Sequence, residues 1–107
     1  MQFSFNGFIY RSLIDPMLSG IRRSIVDHIR PEDHVLDVAC GTGALAVAMA
    51  GHASHVTGID LSEDMIVTAR RTAASRKLNN VSFELLDATD LSCYTDRQYD
   101  VAVATLA

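Results

Sequence analysis

Positive charge is scarce in this sequence. Nine lysines and arginines stand against 13 aspartates and glutamates in 107 residues, a net charge of −4, and no basic run is longer than two residues. Proteins that bind a nucleic-acid backbone do so with concentrated cations that displace its counterions, so no nucleic-acid partner is expected. Long apolar runs are missing too. Nothing approaches the roughly 20 uncharged residues of a membrane helix. Residues 1–13 also lack the basic start and apolar core of a secretion signal, so the chain reads as cytoplasmic with no membrane span. Two cysteines, Cys40 and Cys93, are too few for a disulfide scaffold and are expected to be reduced. With two prolines, six glycines and 49% hydrophobic residues, the composition excludes a disordered or low-complexity tract.

What remains is a rhythm of strands and helices. Over residues 19–30, Ile21, Ile25 and Ile29 recur four apart with Val26 beside them, which predicts an amphipathic helix ending before Pro31. Val35-Leu36-Asp37-Val38-Ala39 reads as a strand buried on both faces, broken by Cys40-Gly41-Thr42-Gly43 and followed by a helix of small residues from Ala44 to Ala50. Gly51 stands where a left-handed helix terminus is common. The cycle repeats with strand Val56-Thr57-Gly58-Ile59-Asp60 and a helix capped by Ser62 with Glu63 and Asp64 in its first turn. Val81 to Leu86 and Tyr99 to Ala104 predict a third and a fourth strand.

Alternation of this kind implies crossover connections and an α/β fold with a Rossmann-like, doubly wound, mostly parallel sheet. The expected division is a helical N-terminal segment over 1–30 and a ligand-binding domain over 31–107. The last residues, Ala104-Thr105-Leu106-Ala107, leave the fourth strand as an apolar tail where such a sheet normally continues. The expectation is the first four strands of a longer domain, C-terminally incomplete, or a chain that forms a homodimer through its open sheet edge.

Gly41-Thr42-Gly43 lies between a buried strand and a helix, where the chain turns sharply and a ligand can approach the main chain. Gly41-Thr42-Gly43-Ala44-Leu45-Ala46 also satisfies the dinucleotide pattern G-x-G-x-x-G/A, with Asp60 placed 17 residues after Gly43 as a ribose acceptor. An NAD(P)-dependent oxidoreductase is therefore one reading. Against it stands Asp37, four residues before Gly41, whose negative charge disfavours a pyrophosphate and favours a cationic ligand. Acids recur at three strand ends, Asp37, Asp60 and Asp87, side by side on the sheet edge where open α/β folds bind ligands.

Together, Val35 to Gly43, Gly58-Ile59-Asp60-Leu61-Ser62, Asp87-Ala88 and Tyr99-Asp100-Val101 resemble the N-terminal motifs of class I S-adenosylmethionine-dependent methyltransferases. The first loop is similar to the ubiquinone and menaquinone C-methyltransferase subgroup. The resemblance covers about residues 34–107 and implies S-adenosylmethionine as cofactor and methyl transfer to a small-molecule acceptor by in-line displacement at the sulfonium. By it, Asp37 and the loop Ala39, Cys40, Gly41, Thr42 and Gly43 line the methionine end. Asp60 accepts from both ribose hydroxyls, and Leu61 and Met65 pack on adenine. Asp87 receives the adenine amino group, and the Ala88 amide reaches a ring nitrogen. Thr105 lies near the methyl, and Tyr10 closes over the cofactor. Ala39 stands where the family has its first glycine. The resemblance names no catalytic residue, because the family's acceptor site is built mostly after the fourth strand and from the N-terminal helices. A third reading is a non-catalytic cofactor-binding half.

Plainer roles compete for several of these residues. Asp37 and Asp60 could serve turns and helix dipoles. Met65, Ala69 and Ala73 form a helical stripe suited to core packing. Cys40, at a helix N-terminus, could have a lowered thiol pKa, although loop packing accounts for it better. Arg22, Arg23, Arg70 and Arg71 read as solvated helix faces. His28, His34, His52 and His55 lack metal-ligand spacing, so no metal is expected.

Overall fold

A computed structural model describes residues 2–5, 8–11, 19–86 and 99–104. Two short strands, β1 (Gln2–Phe5) and β2 (Phe8–Arg11), pair antiparallel as a hairpin. Helix α1 (Ser19–Asp27) follows, then β3 (His34–Val38), α2 (Ala44–Ala50), β4 (His55–Asp60), α3 (Glu63–Ser75), β5 (Val81–Leu85) and β6 (Val101–Ala104). The N-terminal 30 residues, expected to be helical, therefore place a hairpin ahead of their helix. β3 to β6 form one parallel sheet in the order β5-β4-β3-β6, which confirms the Rossmann-like expectation. The hairpin lies beside β6.

Alternation along the strands builds two cores. Val35, Val56, Phe83, Val101 and Val103 face Ile25 and Ile29, Leu45 and Met49, and Ile66, Ala69 and Ala73. The packed residues of all three helices thus share one face of the sheet. Leu36, Val38, Ile59, Ala102 and Ala104 form the core of the opposite face. Every residue of β6 is buried, as the continuous apolar run Val101-Ala102-Val103-Ala104 requires. No helix among the described residues is long and apolar enough to cross a membrane.

Local chemistry explains the helix ends. The α1 helix stops at Asp27 and tightens: the amides of His28 and Ile29 reach back only three residues, to Ile25 and Val26. Asp33 then accepts the Arg30 amide at 2.8 Å and closes the turn around Pro31. Helix α2 ends on Gly51 in ordinary right-handed geometry, φ −69°, so the left-handed terminus expected there is absent. Asn80 supplies the missing order by donating from its side chain to the carbonyls of Ala50 and Ala53, at 2.7 and 3.3 Å. The left-handed terminus belongs instead to α3. Lys77 has φ 57°, and the amides of Lys77 and Leu78 bond back to Ala74 and Ala73, the paired pattern that satisfies a helix's last carbonyls.

Arg70 does not merely face solvent. It donates to the Phe83 carbonyl at 2.9 Å and so covers part of the hydrogen-bonding edge of β5, the outermost strand on that side.

Candidate functional site

The site is assembled where β3 and β4 end. Asp37 pairs in register with Gly58, and Val38 with Ile59. Past the strand, the Cys40 amide still bonds to the Ile59 carbonyl at 2.9 Å, and the Gly43 amide closes a turn onto the Cys40 carbonyl at 3.0 Å. Three alternate residues of this loop are left-handed: Ala39 at φ 59°, Gly41 at 58° and Gly43 at 84°. Only glycine adopts such angles without strain. Ala39 is thus a strained residue, exposed on the loop surface, and its conformation accounts for the glycine the family has there.

The glycines serve different ends. A Cβ on Gly43 would lie 2.8 Å from the Ala69 Cβ, so this glycine lets α3 approach. A Cβ on Gly58 would meet the Phe83 ring at 2.7 and 2.8 Å and the Cys40 Cβ at 3.0 Å. Around Gly41, nothing lies within 4 Å of where a Cβ would point. The direction a side chain would take there is open, while the Gly41 amide itself is held by Asp60. Because Phe83 is 4% exposed and its ring has nowhere to move, Gly58→Ala should cost about 1–3 kcal/mol of stability by overpacking. Urea denaturation checks this, and an unchanged midpoint would contradict the close packing.

Asp60 ties the loop to the next helix. Its Oδ2 accepts the Gly41 amide at 2.8 Å and its Oδ1 accepts the Ser62 amide at 2.9 Å. Ser62 in turn caps α3 by accepting the Met65 amide at 3.3 Å, with Glu63 and Asp64 in the first turn as expected. Each Asp60 oxygen keeps a second acceptor position, so the carboxylate is held in place with capacity to spare.

Asp37 is the opposite case. It is 1% exposed, and neither carboxylate oxygen has a hydrogen-bond partner among the described residues. Burial, and secondarily the negative charge of Asp60, pushes its pKa up to about 8. Burial thus works against the standing negative charge expected of Asp37 in the ligand-free chain. A buried unpaired polar group is uncommon and points to a missing partner. The Cys40 thiol moves the same way, up to about 12, through burial and the fields of Asp37 and Asp60. That reverses the lowered pKa considered above and removes Cys40 as a nucleophile. Its buried side chain joins the helix-side core, as loop packing required.

Exposed apolar residues flank Asp60. Leu61 is 71% exposed and Met65 39%. Met65 is thus not part of the α3 core stripe, which runs through Ile66, Ala69 and Ala73. Leu85, the register partner of Asp60, is 53% exposed and was not among the residues picked from sequence. Strand alternation put it on the helix face with Phe83, but not its position beyond the helices' cover.

Thr42 is exposed on the loop, and Tyr10 lies in β2 opposite Phe3, its side chain not among those described. Asp87, Ala88 and Thr105, like Cys93, lie outside the described residues. Among the described residues, no group of three or more His, Cys, Asp or Glu is arranged to hold a metal.

Comparison with known proteins adds an independent line. Residues 29–107 match the methyltransferase domain family. The demethylmenaquinone methyltransferase of Symbiobacterium thermophilum is 43% identical over 77 residues, covering 68% of this chain and 30% of that protein. The 23S rRNA (uracil(1939)-C(5))-methyltransferase of Methylococcus capsulatus is 34% identical over 74 residues, 64% of this chain and 17% of that protein. Both relatives are more than three times as long as the stretch they share with it. Among solved structures, the Trypanosoma brucei PRMT1 enzyme-prozyme complex with S-adenosylhomocysteine superposes with a TM-score of 0.67 at 29% identity, over 82% of this chain and 28% of that one. With the family match spanning the sheet and its loop, the chain belongs to the methyltransferase domain family, in the class I S-adenosylmethionine-dependent group.

Proposed function

We propose that the chain binds S-adenosylmethionine over the ends of β3 and β4 and serves methyl transfer to a small-molecule acceptor by in-line displacement at the sulfonium. The observation that carries this reading is the unpaired, buried Asp37 beneath a left-handed loop that Asp60 holds from the side. The residues present fit the cofactor. Asp37 offers a buried counter-charge for its cationic end, and Gly41 leaves the space a side chain would fill open to it. Asp60 has acceptor capacity left for the ribose hydroxyls, and Leu61, Met65 and Leu85 offer apolar surface to adenine. Asp87, Ala88, Thr105 and Tyr10 complete the proposed set. When bound, the cofactor supplies an activated methyl on a sulfonium that is itself a good leaving group. The chain's own part is to hold and orient, which can supply most of the acceleration of a displacement of this kind, and no catalytic residue is assigned.

The acceptor class rests on the quinone-methylating relative and on a net charge of −4, which disfavours RNA although one relative acts on rRNA. An NAD(P) site is not favoured, because residues 29–107 match a methyltransferase domain family and the buried, unpartnered Asp37 suits a cation rather than a pyrophosphate. Association through an open edge at β6 is also not favoured, because the hairpin lies beside that strand.

Thermal melts of the 107-residue chain, alone and with S-adenosylhomocysteine or NAD, test the proposal. A ligand binding only the folded state at 100 times its Kd adds about 2.7 kcal/mol. S-adenosylhomocysteine should therefore raise the midpoint by several degrees and NAD should leave it unmoved. A shift by NAD alone would overturn the assignment.

A further inference from the structure

We propose that Asp37 is the charge-selecting residue of this site: it stays neutral beneath the loop of the ligand-free chain and releases its proton to solvent when the cationic end of a ligand settles above it. The inference rests on the cofactor reading and extends it to proton linkage.

Three observations support it. First, both Asp37 oxygens are buried and unpartnered, so nothing in the described protein stabilises the charged form. Second, among the described side chains the surrounding elements bring no cation. Helix α2 is Ala44-Leu45-Ala46-Val47-Ala48-Met49-Ala50 and β6 is Val101-Ala102-Val103-Ala104, without a titratable group between them. Strand β4 contributes Asp60 at the same end and His55 at the other, and the loop contributes Cys40, whose thiol stays protonated. Helices α1 and α3 turn Ile25, Ile66, Ala69 and Ala73 inward, while their charged Arg23, Asp27, Glu63, Asp64, Arg70 and Arg71 are exposed. Third, the space a Gly41 side chain would fill is open, so a ligand can bring its charge to the loop from that side.

A positive group arriving there is therefore the missing counter-charge. It favours the carboxylate, and the proton of Asp37 leaves as the ligand binds. A neutral ligand of the same shape gives Asp37 no reason to ionise.

Calorimetric titration of the 107-residue chain at pH 6.5, in two buffers of different ionisation enthalpy, reads the proton directly. S-adenosylhomocysteine, which carries an ammonium group, should release about one proton per molecule bound, and its Kd should tighten about tenfold from pH 6 to pH 7. Methylthioadenosine keeps the adenosine and the thioether but lacks the whole amino-acid end, ammonium and carboxylate together, and it should release none. Asp37→Asn should remove both the proton release and the pH dependence. Binding of S-adenosylhomocysteine without proton release, or equal release with methylthioadenosine, overturns the inference and leaves the cofactor reading standing. Failure of every adenosine ligand to bind at either pH overturns the cofactor reading, and this inference with it.

Discussion

Asp37→Asn should flatten the pH dependence of the ligand-free chain's stability, so that the variant gains on the wild type by about 4 kcal/mol between pH 5 and pH 8. Asp37 titrates near its ordinary 3.8 when unfolded and near 8 when folded. A folded-state pKa raised in this way contributes stability that is fully present below the unfolded pKa. That stability is lost as pH rises through the folded pKa. Between pH 5 and 7 the wild type should lose about 1.4 kcal/mol per pH unit relative to the amide variant. The sum is a few kcal/mol by pH 8, set against a total stability of about 5–15 kcal/mol for a typical domain. For a chain of this size, 1 kcal/mol moves the midpoint by about 4–8 °C, so melting curves at pH 5, 6, 7 and 8 should diverge by on the order of 10 °C at the alkaline end. The amide also lacks partners, but its cost does not change with pH, which is why the slope and not the offset is diagnostic. Parallel profiles would mean that Asp37 is hydrated or paired in solution.

The parts of this fold that were legible in the sequence are those in which one local rule acts alone. The β-branched runs at Val35 and Val56 produced β3 and β4 within a residue of their ends, and Ser62 before Glu63 and Asp64 produced the α3 cap. The glycine spacing at 41 and 43 marked the left-handed turns between β3 and α2. Where two rules competed, sequence reading was less accurate. Met65 stands one residue from Ile66, and either gives a plausible helical stripe with Ala69. Only packing shows that Ile66 is the one inside. A thiol near a helix start suggests a lowered pKa, but burial and two nearby acids decide the other way at Cys40. The charge of Asp37 is the clearest example. A sequence shows a carboxylate, and whether it is ionised depends on the absence of any cation on α2 and β6, which is a property of the assembled sheet. The left-handed Ala39 was visible only as a departure from a glycine, and its strain only as a backbone angle.

Asp60→Ala should weaken ligand binding and also loosen the loop, contrary to a purely ligand-contacting role in which the fold would be untouched. The substitution removes the acceptors of both the Gly41 and the Ser62 amides. Hydrogen bonds to a charged group contribute about 1.5–3 kcal/mol each when buried, and Asp60 is half-buried, so the two together should cost about 1–3 kcal/mol net. Losing the proposed ribose acceptor as well should weaken S-adenosylhomocysteine by at least about a hundredfold, a difference of about 2.8 kcal/mol. Asp60→Asn recovers at most one of the two bonds, since its amide NH2 would face an amide N–H that needs an acceptor. One effect runs in the opposite sense. Asp60 raises the pKa of Asp37 by repulsion, so removing it relieves a strain present only while Asp37 is ionised. The cost of Asp60→Ala at pH 8 should therefore be larger in an Asp37→Asn background than in the wild type, and the two backgrounds should agree at pH 5, where Asp37 is neutral in both. A double-mutant cycle at the two pH values measures this coupling. If it is zero at pH 8, the two acids do not sense each other and the proton of Asp37 is governed by burial alone. If it appears at pH 8 and vanishes at pH 5, Asp60 and the buried acid form one electrostatic unit, through which a ligand engaging Asp60 would change how readily Asp37 accepts a cation.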